Sequence, residues 1–163
     1  MKTIKQLIIT AILCVFCYTA QAQQEGTLLR SYVGIGGNFG ADKLKTPSFG
    51  VNLEFFLDET FSLGLVGGYS TAQADITFGN QDDETSGFFI GGLLNYYWTD
   101  EDDFNVYTGT SLGYTSHDGP LVDGGFFYEV HLGGRYQLSN GFSIFSEIGY
   151  GLALLKVGVS FKL

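Results

Sequence analysis

Beyond its N-terminal segment the chain has no cysteine, because both of its cysteines, Cys14 and Cys17, fall within residues 1–22. That excludes disulfide staples, thiol chemistry and cysteine–metal sites from the remainder. Basic residues are scarce: eight Lys and Arg stand against 17 Asp and Glu, a formal charge of −9. A nucleic-acid binder needs a basic stripe and an anionic-surface binder a polybasic patch, so neither class fits. After the first segment no apolar run reaches the roughly 18 residues of a membrane-spanning helix, which excludes a helical membrane protein. The glycine-rich Gly34-Ile35-Gly36-Gly37 is not followed by a helix pattern, so it is no dinucleotide or phosphate loop. The tract Gly79-Asn80-Gln81-Asp82-Asp83-Glu84 lacks the alternating ligands of a calcium loop and reads as solvated. No cofactor and no metal are expected.

Residues 1–22 read as a cleaved export signal. Lys2 and Lys5 form its basic end, and Leu7 to Tyr18 its apolar segment, too short to span a bilayer as a helix. Ala20-Gln21-Ala22 supplies the small residues of a cleavage site, which leaves residues 23–163 as one domain. A lipidated Cys17 is disfavoured, since Phe16 stands where a lipoprotein site needs a small residue. Loss of Lys2 and Lys5 moves the formal charge from −9 to −11.

Glycine and aromatic residues are abundant, with Gly 24, Phe 15 and Tyr 10. The pattern that uses them is clearest in Phe104 to Thr115. One face carries Phe104, Val106, Thr108, Thr110, Leu112 and Tyr114; the other carries Asn105, Tyr107, Gly109, Ser111, Gly113 and Thr115. A soluble strand is usually about 5 or 6 residues long. This one is longer, has aromatics at both ends of its apolar face, and has small and polar residues opposite, as a transmembrane β-strand does. The alternation recurs, predicting strands over 31–39, 48–57, 61–71, 85–98, 104–115, 125–138, 141–151 and 155–163. Together they predict an all-β, eight-stranded, antiparallel up-and-down transmembrane barrel. Closure is required, because an open edge leaves backbone groups unpaired in hydrocarbon.

Connections alternate in length. Loops 40–47, 72–84 and 116–124 are long, whereas the turns near Asp58, Asp100 to Asp103 and Ser139-Asn140-Gly141 are short, the last with an Asn-Gly hairpin pair. That asymmetry suits long extracellular loops and short periplasmic turns, with a possible outside partner at the three loops. The connection after strand seven breaks the rule by being short. Outward aromatics then fall into two rings. The periplasmic girdle is Phe55, Phe61, Tyr96, Trp98, Phe104, Tyr136, Phe142 and Phe161; the other is Phe39, Phe49, Tyr69, Phe88, Tyr114, Phe126, Tyr128 and Tyr150. Such rings settle at lipid headgroups.

Inside, the charged residues expected are Glu54, Glu129, His131, Arg135, Glu147, Lys156 and Lys162. Buried charges need partners, so Arg135 is expected to pair with Glu147 or Glu129, and Lys156 or Lys162 with a facing glutamate. Eight strands enclose a space that side chains fill, and the inward Phe56, Phe89, Tyr107, Phe127 and Phe145 make a through-channel less fitting. The reading is a structural or surface-interaction barrel without enzymatic activity. Alternatives are a narrow pore for ions or small solutes, a barrel-mouth module for small apolar ligands, and a lipid-modifying enzyme. No catalytic residue is assigned: Ser116-His117-Asp118 are adjacent on an extended chain and point apart, so they are no triad.

The chain resembles the small eight-stranded outer-membrane β-barrel family of Gram-negative bacteria, which includes the OmpX, OmpA-barrel and OmpW types. Tyr32-Val33-Gly34-Ile35-Gly36-Gly37, Phe88 to Trp98, and Leu155-Lys156-Val157-Gly158-Val159-Ser160-Phe161-Lys162-Leu163 carry the likeness, and their order extends it over most of the mature chain. The resemblance implies an outer-membrane location among lipids, and insertion by the outer-membrane assembly machinery with periplasmic chaperones. That machinery prefers a terminal aromatic; here Leu163 is last and Phe161 lies two before it. A monomer without nucleic acid is expected. Roles in the family range over adhesion, host interaction, envelope stability and minor permeability.

Overall fold

The computed structural model describes residues 26–39, 42–44, 48–73, 84–101, 103–118 and 124–163. The expected export segment 1–22, and most of the three expected long loops, lie outside the described residues. Every regular element among them is a strand. Eight form the barrel: β1 (Thr27–Ile35), β2 (Ser48–Phe56), β3 (Phe61–Gln73), β4 (Glu84–Glu101), β5 (Phe104–Asp118), β6 (Gly125–Ser139), β7 (Phe142–Tyr150) and β8 (Leu155–Lys162). A small ribbon, Gly37–Phe39 paired with Asp42–Leu44, stands outside the ring.

Each strand pairs antiparallel with its chain neighbour, and β1 closes the ring on β8, from Leu28↔Lys162 to Ile35↔Leu155. Closure leaves no edge, which a hydrocarbon surrounding requires. The faces segregate as the alternation dictates. Along β6, Phe126 is 74% exposed and Phe127 is 3% exposed, one step of a two-residue period. Phe88, Ile90, Leu112, Tyr128, Val130, Ile148 and Val157 all face outward, and the buried set is largely Arg, Glu, Asn, Ser, His and Lys. The barrel is thus inverted relative to a soluble protein. Two hydroxyls on the outer face of β5 turn back onto the neighbouring backbone. Thr108 Oγ1 donates to the His131 carbonyl at 2.9 Å, and Thr110 Oγ1 to the Glu129 carbonyl at 2.8 Å. A hydroxyl facing water has no such need.

The turns between β2 and β3, β4 and β5, and β6 and β7 share one end with the chain termini. At the first, Asp58 Oδ1 accepts from the backbone N–H groups of Thr60 and Phe61, both at 2.7 Å. At the last, Gly141 takes φ +90° while Asn140 keeps a negative φ, so the Asn-Gly pair turns the chain through its glycine alone and not as a type I′ turn.

The first strand is shifted relative to the sequence expectation. It runs over Thr27–Ile35, not 31–39. Thr27 to Arg30 gain ladder partners from β2, and Leu28 to Arg30 from β8 as well, while Gly36 turns left-handed at φ +65° and ends the strand. Gly34, two residues earlier, faces the lumen beside Ser48, Ala153 and Lys156. The ladders also continue into the expected loop 72–84, through Thr71↔Ser86, Ala72↔Thr85 and Gln73↔Glu84, and β5 reaches Asp118. Trp98 sits where the β4–β5 register shifts, a bulge that leaves it outward and 64% exposed.

Candidate functional site

Among the described residues, chemically capable groups gather in the interior. All eight strands contribute to a buried network, and its hub is Arg30, which lies just before the expected first strand 31–39. Arg30 extends from β1 with no exposed surface. Its Nη1 donates to Glu147 Oε1 at 2.7 Å and to Tyr107 Oη at 2.7 Å. Its Nη2 forms an ion pair with Glu54. The guanidinium also lies over two rings, 4.9 Å from the Tyr107 centroid and 5.1 Å from that of Phe145. A planar fork with rings on its flanks is an environment that suits arginine better than lysine.

Glu54 is satisfied from a second side. Ser62 Oγ, Asn95 Nδ2 and Tyr97 Oη donate to its Oε2 at 2.9, 2.9 and 2.8 Å. Glu147 takes Tyr107 Oη at 2.8 Å as well as Arg30. On the far side of Glu147, Lys156 Nζ lies 3.2 Å from Glu147 Oε2 and 2.6 Å from Glu129 Oε1. Two cations thus interleave three carboxylates, drawn from β1, β2, β6, β7 and β8. His131 joins at the margin: its Nε2 is 3.0 Å from Asn95 Oδ1 and its Nδ1 is 3.9 Å from Glu129 Oε2.

The expected interior residues divide accordingly. Glu54, Glu129, Glu147, Lys156 and His131 come together. Arg135 is half-buried nearer the termini end, donating from Nε and Nη2 to Asn105 Oδ1 at 3.1 and 2.6 Å and lying 5.4 Å from the Tyr97 ring centroid. Glu147 takes Arg30 and Lys156. Lys162 keeps the inward phase of β8 but is exposed, because it stands at the last ladder step where the lumen has opened to solvent. Its stem packs beside Gly26. Asn95, Ser62 and the hydroxyls of Tyr97 and Tyr107 complete the network; nothing in their spacing marks them beyond an inward phase. Arg30 did carry a signal: the alternation of Tyr32 and Gly34, continued backwards, puts Arg30 and Leu28 inside.

Toward the loop end the charged layer meets an apolar cluster of Tyr32, Val66, Phe89, Phe127, Phe145 and Leu152. Phe89 and Phe127 meet edge to face, with centroids 6.1 Å apart. Small residues make the filling possible. A Cβ at Gly50 would run into the Tyr32 ring, and one at Gly133 into the Tyr107 ring. The short connection after β7 contributes Leu152 and Ala153, 2% and 1% exposed. The lumen is therefore packed, as expected of eight strands.

Outside, the girdle residues all lie on the outward face. Phe61 stacks on Tyr96 with centroids 5.1 Å apart, Tyr96 on Trp98 at 5.6 Å, and Phe142 on Phe161 at 5.1 Å. Phe104 is the register partner of Tyr136, and Phe55 lies opposite Leu63. On the loop side Tyr69 meets Phe88 at 5.3 Å and Tyr128 meets Tyr150 at 6.2 Å.

The chain is similar in structure to a de novo designed transmembrane β-barrel, with a TM-score of 0.58 and 14% sequence identity over 86% of this chain and 98% of that one. It is also similar to the outer membrane protein OprG from Pseudomonas aeruginosa, with a TM-score of 0.52 and 13% identity over 85% of this chain and 96% of that one. The fold is that of a transmembrane β-barrel. No family model matches the chain, and no curated protein matches it by sequence. At these identities the likeness concerns architecture alone.

Proposed function

We propose that this chain is an exported, monomeric outer-membrane barrel with a structural or surface-interaction role, akin to the small OmpX- and OmpW-type barrels. The observation that carries the reading is the reversal of faces. A belt of exposed Leu, Ile, Val, Phe and Tyr surrounds the ring, and Arg30, Glu54, Glu129, Glu147 and Lys156 are buried inside it as ion pairs. Water disfavours such an exterior and hydrocarbon favours it. In this reading the termini end is periplasmic, the girdle of Phe61, Tyr96, Trp98 and their neighbours lies at its headgroups, and the long loops face outward toward any surface partner. The assembly machinery and periplasmic chaperones bring the chain there. A packed lumen supports a non-enzymatic scaffold. Membrane fractionation of the processed protein tests the reading: it is expected to need detergent for extraction and to run as a compact, heat-modifiable band. Solubility in aqueous buffer without detergent would remove it.

A narrow pore is the second reading, favoured by the polar layer through Arg30, Glu147 and Lys156. Planar-bilayer recordings separate the two. A robust steady current from the unaltered barrel favours the pore; electrical silence favours the scaffold.

A further inference from the structure

The connection between β7 and β8 is the shortest at the loop end. It folds into the barrel. Tyr150 ends one strand and Leu155 begins the next. Gly151 between them takes φ +118°, a left-handed turn that aims the chain inward. Leu152 then packs with Tyr32, Val66, Phe89, Phe127 and Phe145. The Ala153 methyl, the Ser48 hydroxyl and the Lys156 stem all converge on Gly34, whose missing side chain leaves room for them. Leu154 turns out again, 64% exposed. Among the described residues the segment is tied by Leu154 N–H, which donates to the carbonyls of Ile35, at 3.1 Å, and Gly36, and by Gly149 N–H, which donates to the Leu154 carbonyl at 2.9 Å. Gly36, at the far end of that contact, is the second left-handed glycine of the region.

We propose that Gly151 to Leu154 form a displaceable stopper, which seals the loop end of the lumen and, when it swings out, admits small hydrophilic solutes to the Lys156–Glu129 layer. The physical case is a contrast of attachments. Strand residues are fixed by ladders on both sides, so their inward rings cannot leave without opening the barrel. Leu152 and Ala153 lie outside the ladders, between Gly149 and Gly151 on one side and the Leu154 contact on the other. Local opening draws on such weakly tied segments while the rest stays intact. The inference rests on the membrane-barrel reading for its sidedness, and it goes further in assigning a moving part.

Single cysteines test it, since residues 23–163 contain none. The reporter is Ser48→Cys, at a position 3% exposed beside the stopper, read with 2-aminoethyl methanethiosulfonate on barrels folded in phosphatidylcholine vesicles. Adding Leu152→Gly and Ala153→Gly is expected to speed its modification by about tenfold or more, as the closed population loses the burial that favours it. Equal rates in two folded barrels, both slow or both fast, overturn the proposal. A second measurement avoids the double substitution altogether. Ala153→Cys in the otherwise unaltered barrel is expected to react faster than Ser111→Cys, although both sites are 1% exposed. If Cys at 153 is as inert as Cys at 111, the segment does not move and the idea fails. Flotation of the same vesicles reports membrane insertion separately. A folded barrel that does not float would defeat the membrane reading while leaving the labelling comparison readable.

Discussion

The two faces of β6 obey opposite rules. Outward, Phe126, Tyr128, Val130 and Leu132 are 47–74% exposed; inward, Phe127, Glu129 and His131 are 3% exposed or less. The outer face tolerates any apolar side chain, because lipid has no shape to match. The inner face is a closed set of partners, in which each carboxylate is answered by a named cation or hydroxyl. The difference teaches that stability in this barrel is concentrated where a soluble protein would have its most dispensable residues.

Substitution can break that comparison most sharply at Arg30. Arg30→Met leaves Glu54 and Glu147 buried with their shared cation gone, a loss of about 3–5 kcal/mol. Denaturant unfolding of the vesicle-reconstituted barrel measures it, and Arg30→Lys is expected to recover only part, since one ammonium cannot reproduce the fork. A cost near zero would mean the network is decoration. The outer face provides the mirror test. Val130→Arg, on the outward face of β6 between Tyr128 and Tyr136, should cost about 2–4 kcal/mol if hydrocarbon covers it, against almost nothing in a protein whose outer face meets water. Smaller effects grade the interior itself. Tyr97→Phe removes one of the donors to Glu54 Oε2 and should cost about 1–2 kcal/mol by the same unfolding assay. Lys162→Ala, at the open rim, should stay within about 0.5 kcal/mol, which separates the closed set from its exposed margin.

Much of this architecture was legible in the residues. Alternation fixes which side of each strand faces out, so Phe61, Tyr96, Trp98, Phe104 and Tyr136 fell on the outer face as expected, and Glu54, Glu129, Glu147 and Lys156 on the inner. Alternation does not fix where a strand starts. Thr27 to Arg30 carry no aromatic, and their membership of β1 depends on ladders with β2 and β8, which are remote in sequence. Losing four residues from that strand hid Arg30, and with it the hub. Partner choice was hidden for a related reason. Whether Glu147 meets Arg135 or Arg30 depends on the strand register and tilt around the ring, a global quantity that no local pattern encodes. Lys162 shows the limit of phase alone: it points inward by count, yet stands where there is no longer an inside. The bulge at Trp98 and the extra reach of β3, β4 and β5 beyond the expected loop boundaries likewise follow from pairing between strands.

The closure of β1 on β8 sets an order of events. Leu28 finds its partner at Lys162, and the Arg30 guanidinium meets a carboxylate 117 positions further along the chain. The first strand of the ring is the last able to complete its pairing. Until the last strands are in place, the earliest strand has one side without its mate and Arg30 lacks its second carboxylate. A barrel built this way commits to its shape in one late step, once β1 and β8 are both present.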